Sequence, residues 1–370
     1  MYSQINDSHG FIRAPALSDQ FASVVPFVTR EVQGHLTIVA VDPVLATRDG
    51  YAKGDVIESV DGTRVEVRYD QLRPYIAAST EQAAQFQLGL NVPGAPAILS
   101  GPKGSIAALE LRGTSGVLRR VQVPRGSVIG RLFLRTRPPI DVLPGNVGYV
   151  DLGRIRRDDL STAFMATAGT RALIFDLRGY PQLDFTSLAS HLATRRVRTA
   201  LFRNPVRFSP PVTYADFQDE NRSFFQLVDP VAPTYQNPVI VLIDAAAISR
   251  AEHTCLFLEA AAHAFFVGQP TEGADGDVVT FFVPGAIELH FSGSEVRHAD
   301  GRPLQRVGIQ PNLTVVPTLA GVRSGRDEIL LEGLATAQRL SGASSPTAKE
   351  ALRDENRLEH LDRGVPSASP

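Results

Sequence analysis

Residues 238–253 read PVIVLIDAAAISRAEH, and the fold follows from this stretch. PVIVLID is an unbroken apolar run with the length of a strand buried on both faces, AAA is a short connection, and a helical pattern begins after it. The same order recurs upstream, where VGYVDL (147–152) precedes DDLSTAFMATAG (158–169) and ALIFDL (172–177) precedes DFTSLASHLATR (184–195). Repeated βα units predict a sheet flanked by helices, with functional groups at the carboxyl ends of the strands.

Ser249 stands at the corner between the PVIVLID strand and the helix that follows it. A serine there projects its hydroxyl beside the free N–H groups of the first helical turn, which can stabilise an oxyanion. The same position also suits a helix cap, and Glu252 three residues later completes a capping-box pattern. Position alone favours the cap, because caps far outnumber nucleophiles.

The region upstream of the βα units, residues 25–125, is rich in strand patterns and glycine turns. HLTIVAV (His35–Val41) and DVIESV (55–60) predict strands, Asp61-Gly62 predicts a tight turn, and YDQLRPYIAAS predicts a short helix near residues 69–78. Downstream, short strands and glycine turns resume over residues 276–315, and DEILLEGLATA predicts a last helix before a polar tail.

Several motifs follow one another in a fixed order along the second half of the chain. These are DLRGYP (176–181), the Ser249 segment, FFVGQPTEGADG (265–276), ADGRPLQRVGIQPNLTVVPT (299–318) and DEILLEGLATA (327–337). The order resembles the catalytic domain of the tail-specific (carboxyl-terminal-processing) proteases, over about residues 145–338. There an Asp-Leu-Arg-Gly strand precedes a Ser-x-x-Glu helix start, a Val-Gly-x-x-Thr-x-Gly turn and a Gly-Ile-x-Pro segment.

The N-terminal half adds to this resemblance, because YAKGDVIESVDGTRVEV (51–67) is similar to a PDZ domain and stands in the family's usual place for one. The resemblance implies an α/β fold with a crotonase-like catalytic core and an inserted or preceding β-rich PDZ-like domain. It further implies a serine-type peptidase that uses no cofactor and cleaves polypeptide segments or C-terminal ends, with Ser249 forming the acyl-enzyme.

The catalytic base cannot be the family's commonest one, a lysine about twenty-five residues after the serine. That count reaches Ala274, and no lysine occurs between Ser249 and Gly301. Asn6-Asp7-Ser8-His9-Gly10 resembles the Ser-His segment of the tricorn-like branch, which makes His9 the candidate base and Ser8 the residue that orients it. The alternatives are a solvated surface role for His9, and His253 as a rival base, although His253 is expected to cap or pack on its own helix.

The third catalytic member and the oxyanion donors depart from the family pattern. Gln305 stands near the expected carboxylate, so we expect slow catalysis and a faster Gln305→Glu variant; the unplaced substitutes are Asp7, Asp275 and Asp300. The oxyanion donors expected are the N–H groups of Arg250 and of Gly179, in a loop that lacks the family's Asn-x-Gly-Gly. Three glycines are expected to serve turn geometry rather than chemistry: Gly268, Gly273 and Gly276.

Composition sets broad limits on the protein. The net charge of −2 and pI near 6.5 argue against a nucleic-acid partner, and no apolar run is long enough to span a membrane. The single cysteine, Cys255, excludes an intrachain disulfide or a cysteine-cluster metal site, and it is expected to be a buried apolar residue. The start at Met1 lacks the features of a signal peptide, which predicts a cytoplasmic protein, or an exported one if an upstream segment is missing.

Four segments and three functions are therefore expected. The segments are an N-terminal part with His9 (1–24), the PDZ-like domain (25–125), the catalytic core (126–340) and a polar tail (341–370). The first function is a peptidase acting on peptide or protein substrates. The others are a catalytically weak or inactive homologue that binds peptides as a scaffold, and a non-peptidase acyl hydrolase on the same core. The sequence leaves the oligomeric state open.

Overall fold

The computed structural model describes residues 2–90, 95–126, 135, 137–204 and 222–342. Its helices and strands are, in chain order, β1 (Phe11–Arg13), α1 (Pro15–Gln20), β2 (Phe27–Val32), β3 (His35–Val41), α2 (Pro43–Asp49), β4 (Val56–Val60), β5 (Thr63–Arg64), α3 (Val65–Leu72), α4 (Glu81–Gly89), β6 (Ile106–Arg112), β7 (Leu118–Pro124), β8 (Ile140–Leu143), β9 (Val147–Asp151), α5 (Leu160–Thr167), β10 (Ala172–Asp176), α6 (Phe185–Ser190), β11 (Val197–Arg203), β12 (Ser223–Val228), β13 (Val239–Ile243), α7 (Arg250–Ala262), β14 (Phe265–Gly268), β15 (Val278–Val283), β16 (Ile287–Ser292), β17 (Glu295–His298), β18 (Leu313–Thr314), α8 (Leu319–Ser324) and α9 (Glu328–Gly342).

The central sheet has the strand order β18-β14-β13-β10-β9-β8. Its strands are parallel, except that β8 pairs antiparallel with β9. The predicted apolar runs form β9, β10 and β13, and helices follow them as expected. The carboxyl ends of β10 and β13 therefore lie side by side, and the N–H of Leu177 donates to the carbonyl of Leu242 at 2.9 Å just beyond β10.

Side chains of the central sheet alternate between two apolar clusters, as the two-residue period of a strand requires. Leu173 and Phe175 of β10 face a cluster shared with α6 and α7, whereas Ala172 and Ile174 face one shared with α9. Strand β13 alternates in the same way, so helices cover both faces of the sheet. Burial on both faces explains why these strands are continuous apolar runs.

The N-terminal module, defined here as β2–β7 with α2–α4, contains a second sheet of order β2-β3-β4-β6-β7, with β5 paired to β4. Asp61 and Gly62 have φ angles of 52° and 78° and join β4 to β5, which confirms the predicted tight turn. The helix expected near residues 69–78 instead spans Val65–Leu72, because Pro74 disfavours continuation of the helix. Helix α4, which the sequence analysis did not predict, packs against β2.

A small sheet of order β1-β16-β15 attaches the N-terminal segment to the second half of the chain. Strand β1 pairs antiparallel with β16, with Phe11 opposite His290. This pairing fixes the residues just before Phe11, His9 among them, at the end of a strand almost three hundred residues away in sequence.

The fold is thus a mixed α/β architecture with several sheets. Among the described residues, no helix combines the length and the apolarity needed to cross a bilayer. The predicted polar tail (341–370) lies outside the described residues beyond Gly342, where α9 ends.

Gly268 closes the end of β14 with a φ of 130°, and a Cβ at this position would lie 2.1 Å from the carbonyl oxygen of Ile243. We expect Gly268→Ala to lower the free energy of unfolding by about 3 kcal/mol, because backbone strain and a backbone clash add. Gly169→Ala is the control, since a Cβ there meets nothing within 4 Å. Equal urea midpoints for the two variants would contradict the prediction.

Candidate active site

Ser249 lies at the corner between β13 and α7 with φ 57° and ψ −119°. A residue with a Cβ is strained in this part of conformational space, and such strain gathers at functional sites. The hydroxyl makes no capping hydrogen bond, and the N–H of Ser249 donates to the carbonyl of Ala274 at 2.8 Å. The capping-box interpretation of Ser249 and Glu252 is therefore wrong, and the serine hydroxyl stays available.

Glu252 binds the 271–276 loop instead of the helix start. Its Oε1 accepts the N–H of Gly273 at 2.8 Å and the hydroxyl of Thr271, and its Oε2 accepts the N–H of Ala274 at 2.8 Å. Burial raises the pKa of this carboxyl to about 8 despite the three donors. Glu252 therefore holds the loop against the first turn of α7, directly beside Ser249.

The N-terminal module reaches the same loop through α4. Gln82 donates to the carbonyl of Thr271 at 2.8 Å, and Gln87 donates to Oε2 of Glu272 at 2.6 Å. Burial raises the pKa of the Glu272 carboxyl to about 7. The N–H of Glu272 donates to the carbonyl of Ala247 at 3.1 Å, two residues before Ser249. Module, loop and candidate nucleophile are thus joined by consecutive contacts.

His9 is buried, and its two ring nitrogens differ in their surroundings. Its Nδ1 lies 2.9 Å from the hydroxyl oxygen of Ser292, which in turn donates to Asp7 at 2.9 Å. Its Nε2 is buried and has no hydrogen-bond partner in the described residues, so the hydrogen bond that we expected between His9 and Ser249 is not made here. Burial lowers the pKa of His9, while Asp7 and Asp275 act to raise it.

The segment that carries His9 is anchored from two sides. Ser8 and Ser79 exchange hydrogen bonds, each backbone N–H donating to the other hydroxyl at 2.8 and 2.9 Å. Arg306 donates to the carbonyls of Ile5 and Asn6 at 3.0 and 3.2 Å. The solvated surface role considered for His9 is thus wrong. Ser8 does not orient the ring as expected, because its hydroxyl accepts the N–H of Ser79 and bonds the Glu272 carboxyl, and the hydroxyl beside Nδ1 is that of Ser292.

His253 is already bonded through both ring nitrogens. Its Nδ1 lies 2.7 Å from Oδ2 of Asp275, and its Nε2 lies 2.6 Å from the amide oxygen of Gln226. The ring packs against Phe185 and Phe257, with centroid distances of 4.7 and 5.2 Å. This is the packing role expected for His253, and it leaves neither nitrogen available to Ser249.

Gln305 is fully engaged by the backbone. Its amide nitrogen donates to the carbonyls of Asp275 and Ser294 at 2.9 and 2.7 Å, and its oxygen accepts the N–H of Val296 at 2.8 Å. The expectation that Gln305 orients His9 is therefore corrected, because no hydrogen bond joins the two side chains. Asp300, one of the substitutes considered, pairs with Arg302 at 2.7 Å.

The expected oxyanion donors stand on neighbouring loops at the carboxyl ends of β10 and β13. Arg250 is the first residue of α7, so its N–H has no helical carbonyl to bind. Arg135 donates to the carbonyl of Arg178 at 2.9 Å, which turns the N–H of Gly179 to the opposite side of that peptide plane. Arg178 is itself held by Asp176 and Asp327 at 2.6 and 2.7 Å.

Comparison with known proteins finds a protein family and solved structures that the chain resembles. Residues 146–315 match the model of peptidase family S41. The fold is shared with mature CPAF, at a TM-score of 0.66 and 15% identity over 93% of this chain and 87% of that one. These findings support a relationship of the chain to peptidase family S41. A member of this family is a hydrolase that acts on peptide or protein substrates.

Two further solved structures resemble the chain. Mature CPAF complexed with lactacystin gives a TM-score of 0.66 and 15% identity over 91% of this chain and 86% of that one. A putative S41 protease from Bacteroides fragilis NCTC 9343 gives 0.47 and 18% over 92% and 88%. No curated protein matches the chain.

Sequence reasoning did not identify Ser292, Glu272 or the side chains of α4 as parts of the site. Ser292 ends a strand with no motif around it, so only the pairing of β1 with β16 reveals its role. Burial of a carboxyl, as at Glu272, depends on contacts between distant segments. The one sequence signal for this contact was the polar side chains of α4, because Gln82 and Gln87 need hydrogen-bond partners when another segment covers them.

Gln305→Glu is expected to lower stability rather than speed catalysis. The glutamate cannot donate, so the two hydrogen bonds to the carbonyls of Asp275 and Ser294 are lost. Its negative carboxylate oxygen would instead face these two carbonyl oxygens. A loss of about 1–3 kcal/mol in the free energy of unfolding follows. Gln310→Glu, at an exposed position of the same loop, is the control. A Gln305→Glu protein as stable as this control, with faster turnover, would restore the original expectation.

Glu272→Gln is expected to change how stability depends on pH. The pKa of Glu272 rises from 4.5 in the unfolded chain to about 7 in the folded one, so wild-type stability falls as pH rises between these values. The glutamine does not titrate and keeps both hydrogen-bonding functions. Relative to wild type, the variant should therefore gain up to about 3 kcal/mol in unfolding free energy between pH 4.5 and 8.

Urea unfolding of both proteins at the two pH values measures this gain. Glu332→Gln, exposed on α9, is the control and should show no such change. A pH dependence of Glu272→Gln that parallels wild type would show that the folded carboxyl does not titrate near neutral pH.

Proposed function

We propose that the chain is a serine peptidase in which Ser249 attacks the scissile carbonyl and His9 is the general base. The observation that carries the proposal is the pair of unused groups beside the 271–276 loop. Ser249 is held in a strained conformation with its hydroxyl uncapped, and His9 has a buried ring nitrogen to which no described residue is hydrogen-bonded. An unsatisfied buried polar atom costs about 1–3 kcal/mol, so the bare Nε2 of His9 calls for an explanation, and a catalytic role supplies one.

The proposed steps use groups already described. The Ser249 hydroxyl passes its proton to Nε2 of His9 as its oxygen attacks, and the N–H groups of Arg250 and Gly179 receive the oxyanion. The imidazolium returns the proton to the leaving amine, which departs and leaves the acyl-enzyme. Water then attacks the acyl-enzyme with His9 again as the base, and the peptide acid leaves as Ser249 regains its proton. Catalytic hydrogen bonds are often long or poorly aligned in apo enzymes, and under this proposal the contact between His9 and Ser249 forms when substrate binds.

Substrate recognition belongs to the same proposal. A PDZ-like domain in the N-terminal module would bind an extended peptide or a C-terminal end as an added strand. Its helix α4 contacts the 271–276 loop, which supports a role for the module close to the site of cleavage. The inactive scaffold is the less favoured alternative, because the family comparison supports a peptidase.

Ser249→Ala should abolish covalent labelling by a fluorophosphonate probe and hydrolysis of an unstructured peptide, because it removes the attacking oxygen. His9→Gln should slow labelling by about 10²- to 10⁴-fold, the range typical of a lost general base. Ser115→Ala, in the exposed turn between β6 and β7, is the matched control and should label like wild type.

Undiminished labelling of Ser249→Ala would remove that residue from the proposed role. Labelling together with ester hydrolysis, but no peptide turnover, would identify an acyl hydrolase instead of a peptidase. A wild-type protein that neither labels nor cleaves would support the scaffold.

A further inference from the structure

The Asp7 carboxylate is bound at three points around His9. Its Oδ2 accepts the N–H of Ser292 at 2.6 Å. Its Oδ1 accepts the Ser292 hydroxyl at 2.9 Å and the backbone N–H of His9 at 3.0 Å. Because every contact is a donated N–H or O–H, the carboxylate is placed as an acceptor only. It therefore fixes where the single proton of the Ser292 hydroxyl points.

Counting protons then determines the tautomer of His9. Ser292 has one hydroxyl proton and donates it to Asp7, so toward His9 its oxygen can only accept. The ring must consequently carry a proton on Nδ1, which it donates to Ser292. In the neutral imidazole this leaves Nε2 as the bare nitrogen, and Nε2 is the buried ring atom that no part of the described chain hydrogen-bonds.

We propose that Asp7, acting through the Ser292 hydroxyl, is the carboxylate that positions His9 as a base. The inference rests on the proposed function and assigns the place that Gln305 does not fill. Asp7 and Ser292 are positioning residues, because neither touches the reacting atoms. A negative charge linked to Nδ1–H through one hydroxyl also favours the imidazolium that forms when Nε2 takes the proton of Ser249.

The proton transfers balance without moving any proton between Asp7, Ser292 and Nδ1 of His9. The Ser249 proton goes to Nε2 and later to the leaving amine, while the proton on Nδ1 stays on the ring and the Ser292 proton stays between Ser292 and Asp7. Two charged groups act on the ring, Asp7 from its own segment and Asp275 from the loop. Asp275 already binds His253 through Oδ2 and the N–H of Gly276 through Oδ1, whereas Asp7 is the carboxylate connected to Nδ1.

The test uses two pairs of variants in the full chain. Ser292→Ala removes the bridging hydroxyl and Ser292→Thr keeps it. Asp7→Asn removes the charge, and Asp277→Asn makes the same exchange at an exposed position before β15. Nitrogen-15 NMR of the imidazole gives the tautomer and pKa of His9, with His9→Gln identifying its signals. Peptide hydrolysis as a function of pH gives kcat and KM.

Wild type should show the Nδ1–H tautomer. Asp7→Asn and Ser292→Ala should lower kcat by about 10- to 100-fold with little change in KM, less than the ~10⁴ typical when a directly bonded triad acid becomes an amide, because a hydroxyl intervenes here. Since Asp7 raises the pKa of His9, Asp7→Asn should also move the acidic limb of kcat/KM and the NMR titration to lower pH. Ser292→Thr, which keeps the hydroxyl, should retain the Nδ1–H tautomer that Ser292→Ala loses, and Asp277→Asn should resemble wild type.

A wild-type His9 protonated on Nε2 when neutral would overturn the proposal. So would an Asp7→Asn variant whose titration matches that of Asp277→Asn, even if its kcat is low, because a purely structural role would not shift the pKa. The proposed function can fail separately. An Nδ1–H tautomer that depends on Asp7, in a protein that no fluorophosphonate labels, would uphold the positioning of His9 and reject Ser249 as a nucleophile.

Discussion

The buried carboxyl group of Glu252 binds the hydroxyl of Thr271 and the backbone N–H groups of Gly273 and Ala274 from the first turn of α7. The N-terminal module and the second half of the chain both contact the 271–276 loop. Helix α4 of the N-terminal module contacts it through Gln82, and the loop that follows β17 contacts it through Gln305. Glu252 thus adds three side-chain hydrogen bonds to the backbone contacts, such as Ser249 N–H to the carbonyl of Ala274, that hold this loop beside the helix.

The same constraint explains the unusual backbone of Ser249. A serine with ordinary capping geometry would turn its hydroxyl back to the N–H groups of α7. Here the N–H of Ser249 is directed to the carbonyl of Ala274 in the loop held by Glu252, and the residue takes a positive φ of 57°. In this conformation the side chain makes no capping hydrogen bond to the first N–H groups of the helix. The loop that Glu252 holds therefore also sets the backbone of the proposed nucleophile.

The parallel core could be predicted because burial on both faces imposes continuous apolar strands, and the ordered motifs around Ser249 resemble a peptidase group in line with the family S41 model that matches residues 146–315. Prediction from local sequence patterns failed for side chains whose hydrogen-bond partners are distant in sequence. Glu252 matches a capping box by spacing, yet Thr271 and the two N–H groups beside it are stronger partners for a buried carboxyl. Gln305 stands at the position of a carboxylate, yet three backbone groups satisfy its amide. Ser292 could not be recognised at all, because its partners lie 283 and 285 residues away.

Loss of a familiar catalytic side chain therefore says little by itself about the loss of catalysis. A general base needs a bare nitrogen aimed at the nucleophile and a negative charge near enough to favour its protonated form, and neither requirement names a sequence position. Near His9, the N-terminal segment supplies both the imidazole and the Asp7 carboxylate, and β16 supplies only a hydroxyl between them. Under the proposal that His9 is the base, base and charge lie on one short segment, and Gln305 has the structural role of binding the carbonyls of Asp275 and Ser294.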